Sequence, residues 1–139
     1  MTTMTQTGAD IMREFLKASP FVGHLGMKLV SLEPDSAELL LPFSEPLITI
    51  GDTVHGGAIS SLIDTAAMAA SWSTEKPPEN LRGTTVSLSV SFTTAARSTD
   101  LTARARVVRR GRNLCACDVD VTDAAGELIA KGLVTYKLG

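Results

Sequence analysis

The sequence predicts an α+β domain in which a curved antiparallel β-sheet wraps around one long central helix. Three observations carry this. Three segments in the second half alternate apolar and polar residues with period 2, and a fourth run follows them as a strand. The stretch from His55 to Trp72 is rich in alanine, lacks proline and is apolar on nearly every side, so it belongs in an interior. The order is two strands, one helix, four strands, and a sheet that must cover so much of one helix has to curl around it.

Taken along the chain, Ile11, Met12, Phe15 and Leu16 fall three and four apart within Ala9 to Ala18, a short amphipathic helix that ends near Ser19-Pro20. Met27 to Leu32 and Ala37 to Leu41 read as strands about the turn Glu33-Pro34-Asp35-Ser36. A loop with Pro42 and Pro46 leads to Gly51-Asp52, the central helix follows, and Lys76-Pro77-Pro78 ends it. Val86, Leu88, Val90 and Phe92 then alternate with Ser87, Ser89, Ser91 and Thr93. Leu101, Ala103, Ala105 and Val107 alternate with Thr102, Arg104 and Arg106, and Cys115, Cys117, Val119 and Val121 with Ala116, Asp118 and Asp120. Leu128 to Leu138 is the last strand. Short turns at 95–99, 110–113 and 123–126 predict that each of these four strands lies antiparallel to the next.

With 139 residues the chain is one domain, preceded by a tail and the short helix over residues 1–20. Thirteen basic against fifteen acidic residues, a net charge of −2, excludes the strongly basic profile of a nucleic-acid binder. One Trp and one Tyr leave no stacking platform for single strands. No apolar run reaches the roughly 20 residues that cross a bilayer. Met1 to Asp10 lacks the order of a secretory signal, so the cytoplasm is the expected location. Cys115 and Cys117, two apart on a strand, share one face as small buried hydrophobes; they are a poor start for a disulfide and too few for zinc. No metal or cofactor is expected. The glycines lack the Lys-Ser/Thr of a phosphate loop, no Gly-x-Ser-x-Gly elbow occurs, and His24 has no partner at ligand spacing.

Chemistry is concentrated in the helix. Asp64 sits in its middle, and a carboxylate there must be hydrogen-bonded or meet a wet cleft. Gly57, Ser60, Ser61, Met68 and Ser71 lie at helical spacing from it, so one stripe carries the small and polar groups. Ser60, Ser61 or a backbone amide would satisfy a purely structural aspartate. His55-Gly56-Gly57 stands where the helix begins, exposing unpaired N–H groups and partial positive charge with no Cβ in the way. Such amides suit a carbonyl oxygen gaining negative charge. Gly57 and Asp64 are seven residues apart, about 10 Å along the axis, too far for both to act on one carbon. Two antiparallel copies of the helix solve this, which predicts a site across a two-fold interface, one at each end.

The stretch Gly51-Asp52-Thr53-Val54-His55-Gly56-Gly57-Ala58-Ile59-Ser60-Ser61-Leu62-Ile63-Asp64-Thr65-Ala66 resembles the signature of the PaaI-like hotdog-fold acyl-CoA thioesterases, and Val86–Ala96 and Gly111–Leu138 resemble that family's strands. The resemblance implies a hydrolase of acyl-CoA thioesters. It implies that Asp64 is the general base or nucleophile, that the Gly57 N–H polarises the thioester carbonyl, and that His55 shapes the loop and holds substrate. Thr85 falls where relatives position the water. Relatives often carry Asn six residues before the His; here that position is Thr49, with Asp52 nearer the His, and the sequence leaves open whether Thr49 or Asp52 takes the place of the Asn.

Gly56, Ser61 and Met68 are the expected substrate contacts, with Ile59 and Leu62 as further lining of an acyl pocket. Arg109, Arg110 and Arg112 at the turn are expected to meet the phosphates of CoA, since guanidinium suits phosphate. Arg104 and Arg106 alternate onto the outer face. The expected partners are acyl-CoA and further copies of the chain, as a homotetramer (a dimer of dimers) or a dimer. A non-catalytic acyl-CoA binder on the same fold is the alternative. A hydratase is disfavoured, because Asp52 and His55 are only three apart rather than five.

Overall fold

The computed structural model describes residues 6–139; the first five residues of the expected N-terminal tail lie outside the described residues. Helix α1 runs Gly8–Ala18, started by a reciprocal capping box in which Thr7 and Asp10 each accept from the other's backbone N–H. It buries Met12 and Leu16. At Pro20 the chain does not leave helix, as expected, but starts a second one, α2 (Pro20–Leu25). Proline is tolerated at a first helical position because its missing N–H is an orphan there anyway. Gly26, at φ 79°, ends it.

Strands β1 (Lys28–Glu33) and β2 (Ser36–Leu41) form the first hairpin. The expected loop before the helix contains its own small hairpin, β3 (Ile48–Ile50) and β4 (Thr53–Val54), turning at Gly51 with φ 60°. The central helix α3 spans Gly56–Trp72. Four strands follow, β5 (Gly83–Phe92), β6 (Leu101–Arg110), β7 (Leu114–Thr122) and β8 (Leu128–Leu138). The six long strands make one antiparallel sheet in the order β1-β2-β6-β7-β8-β5. Its concave face holds α3, whose Leu62, Ile63, Ala66, Ala67, Ala69 and Ala70 are fully sealed. The alanines keep the helix thin, and at Gly132 in β8 a Cβ would run into the Ile63 side chain. This is the hotdog arrangement. Among the described residues no helix is long and apolar enough to cross a membrane.

One expected pairing is wrong. The short turn at 95–99 does not join β5 and β6 as neighbours: β6 pairs with β2, and β5 with β8 at the far edge. The connection is held instead by β4, through Val54 N–H to the Ala96 carbonyl (2.8 Å) and Arg97 to Asp52 (3.1 Å). That anchoring carries the chain past the N-terminal end of α3, so the two strands leave on opposite sides of the helix.

Of the register shifts in the sheet, two break the strict alternation beside α3. The register of β5 against β8 shifts between Thr85 and Ser87, and that of β6 against β7 between Val107 and Arg109. The extra residues, Val86 and Val108, are exposed. Each bulge reverses which residues face the helix beyond it. Thr85 and Arg110 both turn inward as a result, whereas unbroken alternation would point them outward.

Candidate active site

The sheet leaves one stripe of α3 uncovered: Gly57, Ser60, Ser61, Asp64 and Met68, at helical spacing. The stripe faces β5. There Thr85 Oγ1 donates to Asp64 Oδ1 at 2.6 Å. The partner of the mid-helix carboxylate is thus a strand hydroxyl and not Ser61, whose Oγ donates to the Gly57 carbonyl (2.8 Å). Asp64 is half-buried, with its second oxygen free of protein partners among the described residues. A carboxylate so placed accepts a proton or attacks an electrophilic carbon.

The helix start differs in one respect from expectation. The Gly57 N–H, expected to face a substrate oxygen, donates to His55 Nδ1 at 2.7 Å. His55 is therefore the N-cap of α3, with its ring proton on Nε2. A side chain at the cap captures an N–H of the first turn, and here it takes that of Gly57. The Gly56 N–H has no hydrogen-bond partner among the described residues, which makes Gly56 the free donor at the positive end of the helix. It lies under the Phe92 ring, whose Cζ is 3.2 Å from where a Cβ at Gly56 would be. Gly56, Thr49, Ile59 and Phe92 share the wall of an open hollow of about 360 Å³. Thr49 thus stands at the helix start, whereas Asp52 is engaged with Arg97 away from it.

Other expected contacts divide. Ile59 reaches the hollow and Met68 is half-buried on the open stripe, but Leu62 is sealed in the core and lines nothing open. Arg110 does not project from the turn toward a ligand. The bulge at Val108 turns it inward, where it donates to Asp35 Oδ1 (2.9 and 2.7 Å) and to the Ser71 carbonyl at the end of α3 (3.0 Å). Arg109 and Arg112 remain exposed at the turn. Arg112 is joined by Arg82 and Lys76 around a hollow of about 330 Å³ beside the last turn of α3. Those two cations come from the loop after α3, and only the closing of the sheet brings them to the β6–β7 turn.

Tyr136 was likewise invisible to sequence patterning. It lies opposite Thr85 in the β5–β8 register and accepts a hydrogen bond from Trp72 Nε1 at 2.9 Å. Burial pushes its phenol above the ordinary range, and the Asp64 charge pushes the same way. Cys115 and Cys117 are free thiols in the core, and no metal-binding cluster occurs among the described residues.

Within one chain, Gly56 and Asp64 are eight residues apart along α3, about 12 Å. The gap lies beside the sheet's open edge. There Val86, Leu88 and Phe92 of β5 remain 57%, 41% and 52% exposed.

Residues 51–130 match the family model described as the thioesterase superfamily. The human acyl-coenzyme A thioesterase 13 is 31% identical over all of this chain and 99% of its own length. Among solved structures, a thioesterase family protein of Silicibacter pomeroyi is 27% identical with a TM-score of 0.86, covering 95% of this chain and 99% of that one. The PaaI protein of the phenylacetic acid degradation operon of E. coli shares the fold at 18% identity, with a TM-score of 0.82 over 95% of this chain and 94% of its own. The match over most of the sequence and the common architecture make this chain a member of the thioesterase superfamily.

Proposed function

We propose that this chain hydrolyses acyl-CoA thioesters at sites shared between two subunits, with Asp64 of one acting beside the Gly56 N–H of the other. The observation that carries the reading is the Thr85–Asp64 hydrogen bond: the one charged side chain of α3, half-buried and held by one hydroxyl, with its other oxygen free of protein partners among the described residues. That oxygen takes a proton from water as the water oxygen bonds to the acyl carbon. The thioester oxygen gains negative charge and is met by the partner subunit's Gly56 amide at the positive end of α3. The C–S bond then breaks, and the departing thiolate takes up the proton, leaving free acid and CoA. Asp64 as a nucleophile on the acyl carbon is the other route open to the same carboxylate, and oxygen incorporation from labelled water during single turnover separates the two.

The exposed edge of β5 supports the shared site. An unpaired strand with an apolar inner face calls for cover, and a two-fold edge pairing supplies it while bringing two copies of α3 alongside. Pairs of such dimers would form the tetramer. Arg112, Arg82 and Lys76 surround a hollow beyond the C-terminal end of α3, on the far side of Asp64 from the helix start, and suit the phosphates of CoA. The similarity to the human acyl-coenzyme A thioesterase supports CoA as the carrier.

The test is an assay of free thiol release over short-chain, long-chain and aryl acyl-CoA substrates, run beside the Asp64→Asn protein. The reading expects a kcat lowered by about 10²–10⁴ in the variant. Saturable acyl-CoA binding without thiol release would make the protein a binder and overturn the proposal.

A further inference from the structure

The mechanism above uses Thr85 but leaves unexplained what holds it. Within its own subunit Thr85 sits on a strand whose one neighbour is β8, beside a bulge. The bulge interrupts the ladder and increases the local twist, whatever covers the strand's outer edge. Yet its hydroxyl must stay within hydrogen-bond reach of a carboxylate on a separate helix.

Two features of the interior bear on this. Trp72, the last residue of α3, donates from Nε1 to the Tyr136 hydroxyl at 2.9 Å. Trp72 and Tyr136 are only 7% and 5% exposed. Tyr136 faces Thr85 across the β5–β8 ladder, and its ring leans over Gly83, two residues from Thr85 in β5. A Cβ at Gly83 would overlap the phenol oxygen and lie 2.9 Å from Cζ and Cε2. The ring therefore occupies the place that a side chain at Gly83 would take. Helix α3 is thus tied to the start of β5 at two points eight residues apart, about 12 Å along its axis: directly through Asp64–Thr85, and through Trp72–Tyr136 against Gly83.

We propose that the Trp72–Tyr136 pair, seated on Gly83, is a latch that sets the spacing of β5 from α3 and so positions Thr85 on Asp64. Trp72 and Tyr136 are positioning residues that touch no reacting atom, although Trp72 also lines the hollow that the reading above gives to the phosphates of CoA, so Tyr136 carries the test. The inference rests on the hydrolase reading above and deepens it. The Asp64 charge felt by the Tyr136 phenol agrees with the closeness the argument needs.

The experiment uses the full chain and a double-mutant cycle. Tyr136→Phe keeps the ring and removes the oxygen that Trp72 reaches; Thr85→Val removes the hydroxyl that holds Asp64. The latch predicts that Tyr136→Phe lowers kcat by about five- to tenfold with KM within about twofold, because the loss concerns the chemical step. It also predicts that Tyr136→Phe adds less than about twofold to the loss already caused by Thr85→Val, since both act through one contact. Trp72→Phe should repeat the effect. Trp72 is the sole tryptophan and Tyr136 the sole tyrosine, so the emission of Trp72 in the Tyr136→Phe protein verifies that the indole stays enclosed and the fold intact.

A Tyr136→Phe kcat within twofold of the parent, or losses that multiply independently in the double variant, would overturn the latch while leaving the proposed function standing. A parent protein that releases no thiol from any acyl-CoA would defeat the function and the latch together. Should Tyr136→Phe fail to fold, Gly83→Ala gives the second arm. A methyl there must displace the Tyr136 ring, so the latch expects the same kcat loss at constant KM, and an unaltered kcat overturns it.

Discussion

Thr85 Oγ1 and Asp64 Oδ1 lie 2.6 Å apart, one on the sheet's edge strand and the other midway along its central helix. They meet because the bulge at Val86 reverses the facing of Thr85. The site is a relation between two elements and belongs to neither alone.

Thr85 is worth testing by itself. A hydrogen bond to a charged group contributes about 1.5–3 kcal/mol, so Thr85→Val should lower kcat by about 10- to 100-fold. Thr85→Ser, which keeps the donor, should restore most of the activity. Steady-state thiol release at saturating acyl-CoA reads both.

The arginines at the β6–β7 turn divide into two kinds, and mutation should separate them. Arg110→Ala removes the partner of Asp35 and of the Ser71 carbonyl. Ser71 is buried, and an unsatisfied group there costs about 1–3 kcal/mol, whereas the half-exposed Asp35 carboxylate is met by water and adds at most about 1 kcal/mol, so the urea midpoint should fall. Arg112→Ala removes an exposed side chain beside the hollow at the end of α3. It should leave stability alone and raise KM for acyl-CoA with kcat little changed, as expected of a contact that grips substrate and transition state alike.

The open edge of β5 predicts assembly. Leu88→Lys places a charge on the exposed apolar face of that strand without disturbing the sealed core. Sedimentation should show the variant shifted to monomer, with thiol release lost in parallel, because a monomer separates Gly56 from Asp64 by the length of two helical turns. A monomeric variant with full activity would remove the shared site.

The outer face predicts a pH dependence. Lys131 Nζ lies 2.9 Å from Asp118 Oδ1 and 2.7 Å from Asp120 Oδ1, and Arg106 reaches Asp118 at 3.2 Å. The Lys131 hydrogen bond, and then that of Arg106, holds the Asp118 carboxyl below its ordinary value. A lowered carboxylate stabilises the fold above the unfolded value of about 3.9 and loses that contribution as pH falls through the folded one. The thermal midpoint should therefore drop below about pH 4, and Asp118→Asn should flatten that limb. The effect should be small, since ion pairs whose cations stand in solvent, as Lys131 and Arg106 do, contribute about 0.2–1 kcal/mol, and it should shrink in high salt.

Much of this protein follows from local pattern. Period 2 in three segments and an all-round apolar helix are consequences of burial, and burial is written in the chain residue by residue. The stripe of small and polar groups about Asp64 follows from 3.6-residue periodicity alone, and it is the stripe that α3 leaves uncovered. What tertiary structure decided is of another kind. Strand order is non-local: the anchoring of residues 96 and 97 on β4 sends β5 to the far edge, where a short turn suggested it would pair with β6. Bulges depend on the register of a neighbouring strand, so nothing within 83–92 or 101–110 announces that Thr85 and Arg110 turn inward. The choice of free amide was equally hidden, because a histidine at the helix cap selects its N–H by geometry, taking that of Gly57 and leaving that of Gly56. Periodicity says which residues are buried; only the pairing of distant segments says which of them meet.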